Sequence, residues 1–482
     1  MKKEYQYSLL AKEMESKIET NIFRPGEKLP SIREMHKTMN KSISTISRAY
    51  VLLESNGLIE ARDRSGYYVR TAMPFKIKRP EKSKLTLDHK PINRSGILDE
   101  VLNSMSDETK IPLGAAFISP RLLPFNNYSS ILKNFTKKEI KMAISYNKPQ
   151  GLFNLRRQVS LRTLGLVDGI TPEDIVITNG CTEALVICLM ALVKEGDTIA
   201  LEAPAYYGLF PVLEDMGVFV IEIPTCPENG IDYEALKIVI KSKDIKCCII
   251  NSNFHNPLGC IIPEAKKKKI VKLLNNHEVP LIEDDIYSDL YFEKQHPKPL
   301  KAFDKKDLVL TCSSFSKTLA PGLRTGWIIP GERYKKKIIK IKSGLSVSTS
   351  TLDQYILVKF IENGNYEKHL RTLRNILRRQ VNSVAKAIYQ YFPKQIRMYI
   401  PKGGFLLWVQ LPEGVNSIDL YKKALLADIA ILPGNICSST GVFREYIRIS
   451  CGSPYTDEME QAIAKIGSFI MDLMKNQPDP VS

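Results

Sequence analysis

One lysine stands where its surroundings can strip it of water. Ser313-Ser314-Phe315-Ser316-Lys317 follows the apolar run LVLT and precedes Thr318-Leu319-Ala320-Pro321-Gly322. Desolvation there disfavours the ammonium form and leaves a free amine, the nucleophile that condenses with an aldehyde. Arg324, seven residues on, carries a planar fork suited to phosphate oxygens. A lysine is more often a solvated surface residue, and Ser-x-Ser-Lys alone does not separate the two readings. A second segment, Pro280-Leu281-Ile282-Glu283-Asp284-Asp285-Ile286-Tyr287, is a strand ending in acids. Asp284 can face a protonated ring nitrogen and Tyr287 can donate to a ring oxygen; clustered acids also suit Mg²⁺, although no nucleotide-phosphate loop accompanies them. In Thr178-Asn179-Gly180-Cys181-Thr182-Glu183-Ala184-Leu185 a strand enters a glycine turn and a helix begins, so free N–H groups can cradle an anion. Asn253-Phe254-His255-Asn256-Pro257-Leu258-Gly259 offers Asn256 as a second donor to a ring oxygen, and Ala203-Pro204-Ala205-Tyr206 offers an aromatic face.

Each segment alone has a bland reading: a turn, a core tyrosine, a solvated lysine. Together they supply what pyridoxal phosphate (PLP) requires: an amine, a pyridinium partner, donors for the phenolic oxygen, a phosphate cup and a stacking ring.

These segments need a scaffold that brings strand ends together. Residues 109–482 alternate apolar strands (IVIT, TIALE, CCIIN, PLIEDD, LVLTCSSF) with amphipathic helices, which predicts an α/β fold with a mainly parallel sheet. Residues 71–108 are rich in Lys, Pro, Ser and Asn and read as a linker. Residues 1–70 read as a separate module: helices near 8–19, 32–39 (capped by Ser31) and 43–56 (capped by Ser42, closed by Gly57), then strands 58–61 and 67–70 around a turn at 63–66. That order is a winged helix-turn-helix, whose last helix fits the DNA major groove. Arg33, Ser44, Thr45, Ser47, Arg48, Arg64 and Gly66 are the candidate DNA contacts, with Arg62 also on the wing. The pattern alone also suits a small adaptor with solvated arginines.

Composition narrows the classes. The 482 residues exceed one ordinary core. The longest apolar stretch, residues 184–193, is too short to span a bilayer, and the first fifteen residues lack the apolar run of a secretory signal, so a cytoplasmic protein is expected. Nine cysteines without a C-x-x-C pair predict reduced, mostly buried thiols and no zinc site. The formal charge is +17, and residues 1–94 hold 20 Lys+Arg against 11 Asp+Glu, about half of that excess in a fifth of the chain. Such a concentration favours a polyanionic partner.

The stretch PGEKLPSIREMHKTMNKSISTISRAYVLLESNGLIEARDRSGYYV resembles the GntR family of bacterial winged-helix regulators, through Pro25-Gly26, Leu29-Pro30-Ser31, Arg33, Thr45, Ala49-Tyr50, Leu53, Gly57-Leu58-Ile59 and Ser65-Gly66-Tyr67. It departs at Ile43, where the family often has arginine. The motifs SFSKTLAPGLRTGW, HNPLG and EAPAYYG, in that family's order over about 370 residues, resemble fold-type I aminotransferases. The resemblance implies Lys317 as the Schiff-base lysine, with Asp284 on the pyridinium. Tyr287 and Asn256 would meet the phenolic oxygen and Tyr206 stack on the ring. Gly180, Cys181, Thr182, Ser314, Ser316 and Arg324 would hold the phosphate. It further implies Arg448 as binder of an α-carboxylate, a bidentate pairing, and Tyr146 as reaching the neighbouring subunit's phosphate, hence a homodimer.

The combination resembles the MocR-type (GntR/aminotransferase) regulators over nearly the whole chain. What it implies is a PLP-binding, DNA-binding transcriptional regulator whose large domain senses PLP or a small amine or amino-acid effector. Two other readings stay open: a working class I/II aminotransferase with an accessory DNA-binding domain, and a repressor that holds PLP only for stability.

Overall fold

The computed structural model describes residues 5–20, 22–55, 58–62, 65–69, 77–87 and 96–475. They belong to two compact units: Met1–Lys76 with Phe292–Gln295, and Ile77–Tyr291 with His296–Ser482.

The smaller unit holds α1 (Gln6–Glu19), α2 (Ile32–Met39), α3 (Ile43–Ser55) and a hairpin of β1 (Ile59–Arg62) and β2 (Gly66–Val69). Local chemistry sets these boundaries. The Ser31 hydroxyl accepts from the Glu34 N–H at 3.2 Å while the Glu34 carboxylate accepts from the Ser31 N–H at 2.6 Å, a reciprocal cap that opens α2. Asn40, at φ 49°, ends it. The Ser42 hydroxyl accepts from the Thr45 N–H at 3.1 Å and opens α3. The expected helix stop at Gly57 and the turn residues Asp63 and Arg64 lie outside the described residues. Leu10, Met14, Met35, Ile46, Tyr50 and Leu53 form the core, each large apolar side chain contributing ~1.5–3 kcal/mol by burial.

The larger unit begins at Ile77, inside the stretch whose composition reads as linker. Residues 77–87 lie along it. The Met398 N–H donates to the Lys78 carbonyl at 2.9 Å, the Glu81 N–H to Gln410 Oε1 at 3.0 Å, and Lys82 meets Asp232 at 2.6 Å. Next comes α4 (Leu98–Ser106), burying Leu98, Val101 and Met105. Composition hides both pieces. The strap bonds through backbone and long polar side chains, and the helical spacing of 98, 101 and 105 sits within a Ser- and Asn-rich run.

After β3 (Ile111–Pro112) the main sheet is built from β4 (Val176–Thr178), β5 (Thr198–Ala203), β6 (Phe219–Cys226), β7 (Gly230–Ile231), β8 (Ile245–Ile250), β9 (Leu281–Asp284), β10 (Val309–Ser314) and β11 (Gly326–Ile329). The spatial order is β4-β11-β10-β9-β8-β5-β6-β7. All but β7 and β11 point the same way, so the sheet is mainly parallel, as expected. Its central strands are mostly apolar and buried, with polar residues towards their carboxyl ends, because both faces are covered. Leu201, Ile249, Ile282 and Leu310 pack under helix Cys181–Leu192 on one face; Ala200, Cys248, Leu281 and Val309 pack against helices Tyr233–Ser242 and Glu264–Asn276 on the other.

Towards the C-terminus, β12 (Arg397–Met398), β13 (Leu406–Gln410), β15 (Leu432–Pro433) and β16 (Tyr446–Ser450) form an antiparallel sheet in the order β12-β13-β16-β15, while β14 (Ile429–Ala430) pairs with β3. All nine cysteines are free and eight are buried, consistent with reduced thiols. Among the described residues no helix is long and apolar enough to cross a membrane.

Candidate functional site

Strands that run the same way present their carboxyl ends along one edge, the usual ligand edge of an α/β sheet. Here β4 ends before Gly180, β5 before Tyr206, β8 before the loop carrying Asn256, β9 at Asp284 and β10 just before Lys317. They surround a cavity of ≈ 360 Å³. Lys317, Asp284, Tyr287, Asn256, Tyr206 and Arg324 all line it, together with Cys181, Thr182 and Ser316.

Burial holds the Lys317 amine down to about 8, Arg448 and Arg324 pushing the same way and Asp284 opposing. Its Nζ donates to the Ala116 carbonyl at 2.5 Å. Burial pushes the Asp284 carboxyl up to about 6, against the Ile286 N–H that donates to it at 3.2 Å and the Cys181 thiol at 3.6 Å. The Tyr287 and Tyr206 phenols are raised, chiefly by burial.

The anion cup is at the start of helix Cys181–Leu192. Gly180 adopts φ 88°, and a Cβ there would lie 2.5 Å from an Arg324 guanidinium nitrogen, so only glycine leaves that approach open. Arg324 is held loosely, at 3.4 Å from both Ser316 Oγ and the Pro321 carbonyl, leaving its fork available to an anion. These features fit PLP: an uncommitted guanidinium beside a helix N-terminus, an acid deep in the cavity, and a desolvated amine.

Ser314, Tyr146 and Arg448 do not line the cavity, and Cys181 lines it with its side chain already engaged. The Ser314 hydroxyl accepts from the Ser316 N–H at 3.0 Å and donates to the Thr325 carbonyl at 2.9 Å; it shapes the lysine turn and does not line the cavity. The Cys181 side chain is turned to Asp284, which leaves its backbone N–H as the group for the cup. Tyr146 is 93% exposed, beside residues 348–351. Arg448, on β16 between Trp408 and Leu432, is fully buried behind the cavity. Its fork donates to Asn256 Oδ1 at 2.7 Å and to the Gly114 carbonyl at 2.6 Å, and its Nε has no partner.

The three consecutive acids diverge, as alternation along a strand requires. Glu283 accepts from the Ser252 and Thr311 hydroxyls at 2.6 and 3.1 Å, Asp284 faces the cavity, and Asp285 accepts from Asn253 Nδ2 at 2.7 Å. Behind them Lys267, buried and pushed down by that burial, donates to Asn253 Oδ1 at 2.5 Å and to the Lys298 carbonyl at 2.6 Å. The Asn253 amide thereby ties the loop bearing Asn256 to Asp285 at the strand end, and the Lys267 ammonium holds that amide in place. Neither this anchor nor the Gly114 and Ala116 carbonyls has a sequence signal: one is a lysine in a Lys-rich helix, the others are backbone atoms some 200 and 330 residues from their partners.

In the smaller unit Arg33 and Arg48 are exposed on α2 and α3. The Ser44 and Thr45 hydroxyls both contact Ser42 Oγ, at 3.0 and 2.8 Å, and Ser47 is half-buried on α3. Gly66 opens β2 at φ 105°, a conformation that favours glycine. Arg64 lies outside the described residues.

Residues 130–466 match the family described as aminotransferase class I and II, and residues 6–69 match bacterial regulatory proteins, gntR family. The chain is 36% identical to an HTH-type transcriptional regulator of Escherichia coli K12, YjiR, over 98% of this chain and 100% of that protein. It is 35% identical to a second from the same organism, YdcR, over 97% and 99%. Among solved structures, the kynurenine aminotransferase of Pyrococcus horikoshii in complex with PMP matches with a TM-score of 0.74 at 25% identity, covering 80% of this chain and 96% of that one. A GntR helix-turn-helix domain followed by a class I and II aminotransferase domain, in full-length register with such relatives, makes this chain a member of the MocR-type (GntR/aminotransferase) regulators.

Proposed function

We propose that this protein is a DNA-binding transcriptional regulator whose larger unit holds PLP on Lys317 and senses a small amine or amino acid. The observation that carries the reading is the Lys317 amine, buried and held down to about 8, in the same cavity as Asp284 and the loosely held Arg324. PLP, when bound, supplies an aldehyde for primary amines and an electron-withdrawing ring. Gly180, the N–H groups of Cys181 and Thr182, Ser316 and Arg324 hold the phosphate. Ser314 supports this cup by fixing the turn before Lys317. Asp284 keeps the ring nitrogen protonated, Tyr287 and Asn256 donate to the ring oxygen, and Tyr206 covers a face. Arg448 takes the carboxylate of an amino acid once its fork leaves Gly114. The Pyrococcus horikoshii aminotransferase of the same fold carries PMP, which supports this cofactor class.

The acting form is a homodimer, with Tyr146 reaching the partner's phosphate. Supporting this, Ile144 and Tyr146 are large apolar side chains, 81% and 93% exposed, beside residues 348–351. The two recognition helices then meet DNA half-sites, Arg33, Arg48 and Arg64 contacting phosphate or base edges, in a cytoplasmic protein.

The test is affinity for duplex DNA from upstream of the protein's own gene, with and without PLP and with added amino acids, at fixed salt. Specific binding that shifts with PLP or an amine supports the regulator. Binding equal to that on random DNA sinks it for that site. The complete set of amine, acid and guanidinium groups also supports a working aminotransferase. Keto-acid formation from an amino acid and 2-oxoglutarate at a useful rate decides for that second reading.

A further inference from the structure

The exposed face of α3 has unusual chemistry for a DNA reader. Ile46, Ala49, Tyr50 and Leu53 turn into the core of the smaller unit. The opposite face carries Ile43, Ser44, Ser47, Arg48 and Val51. Ile43 is the first residue of the helix, 51% exposed, and belongs neither to the core nor to the side chains packed on it; Val51, two turns on, is 43% exposed. The Ser44 and Thr45 hydroxyls beside Ile43 each contact the capping Ser42, at 3.0 and 2.8 Å. Arg48 is the single basic residue of α3. The helix end that enters a major groove therefore presents a branched hydrocarbon at its first position.

Exposed hydrocarbon at this position is a small part of the fold, since Ile43 is 51% exposed and outside the buried core. In the major groove the one base feature that hydrocarbon recognises is the thymine 5-methyl group; the other edges need donors or acceptors. We infer that Ile43 is a specificity-determining residue that reads a thymine methyl, so that each operator half-site carries a T·A pair where α3 begins. The inference rests on the DNA-binding reading above. It also predicts that arginine at position 43 would convert the preference to G·C, since its fork matches the O6 and N7 acceptors of guanine.

The experiment selects duplexes from a randomised library with the full-length protein. Each thymine of the selected site is then replaced by deoxyuridine, which removes only the methyl group. At one position per half-site, deoxyuridine should weaken the native protein about fourfold, the value of one buried methyl. Ile43→Ala should bind thymine and deoxyuridine equally there and keep its fold, checked by circular dichroism, since about half of the Ile43 surface is already exposed. Ile43→Arg should enrich guanine at the same position. Deoxyuridine without effect at every thymine, or an effect that persists in Ile43→Ala, overturns the inference and leaves the DNA reading standing. A library that yields no enriched sequence overturns both.

Discussion

The ligand cavity and the α3 face treat their functional groups in opposite ways. In the cavity, burial alters the groups: it lowers the Lys317 amine and raises the Asp284 carboxyl, and it seals Arg448 behind the wall. On α3 the groups stand in water, and their positions are set by a helix cap and one turn of geometry. Reactivity is a property of the first region's interior; recognition is a property of the second region's outline. A substitution in the cavity should therefore change chemistry in kind, and one on α3 should change affinity by degrees.

The largest effect comes from Lys317→Ala. It should abolish the lysine-linked absorbance of bound PLP entirely, while DNA affinity without ligand changes by less than about twofold, as for independent sites. An equally large loss of DNA binding would break the separation. Arg448→Gln should weaken carboxylate-bearing amines about 10- to 100-fold, the range for a lost charge-assisted bond, and leave PLP absorbance and simple amines unchanged. Equal weakening of both amine classes would remove Arg448 from carboxylate recognition.

The pH dependence sharpens the contrast. Only the deprotonated Lys317 amine attacks an aldehyde, so PLP uptake accelerates as pH rises. With the amine held near 8, the rate should rise about tenfold from pH 7 to pH 9 and level off above, where an ordinary lysine would keep climbing past pH 10. Stopped-flow absorbance measures it; a rise continuing to pH 10.5 would mean that the cavity does not desolvate the lysine. The smallest effect is Ser31→Ala, which removes half of the reciprocal cap on α2 and should lower the stability of the smaller unit by about 1 kcal/mol. Urea unfolding followed in that unit reads it, and PLP uptake should not change.

The cavity was largely legible because each strand end carries its own short signal. Asp284 closes an apolar run, Gly180 precedes a helix, and Lys317 sits between a strand and a proline-glycine turn. The caps at Ser31 and Ser42 were legible for the same reason, since partners three residues apart leave a local trace. Contacts across hundreds of residues left none. Ala116 and Gly114 act through carbonyl oxygens, which every residue has, and α4 with the strap at 77–87 lay inside a composition typical of linkers. Side-chain direction was also beyond reach: Ser314 and Cys181 sit in the expected segments but turn away from the expected partner.

The two carbonyls have a consequence for what the cavity selects. Lys317 and Arg448 are not idle donors; each already holds a backbone oxygen of the same short segment, Ala116 at 2.5 Å and Gly114 at 2.6 Å. A ligand gains only the difference between its own bonds and those it displaces. One that engages the lysine alone leaves Gly114 clamped, and one that engages the arginine alone leaves Ala116 clamped. Only a molecule that takes both donors displaces both carbonyl contacts at once, while the segment itself stays paired through the Ile111 N–H to Asp428, the Gly114 N–H to Ala430 and the Ser450 N–H to Leu113. The cavity is in this respect a coincidence detector. Two donors, each held by a backbone oxygen, are satisfied together only by a ligand that offers a partner to both.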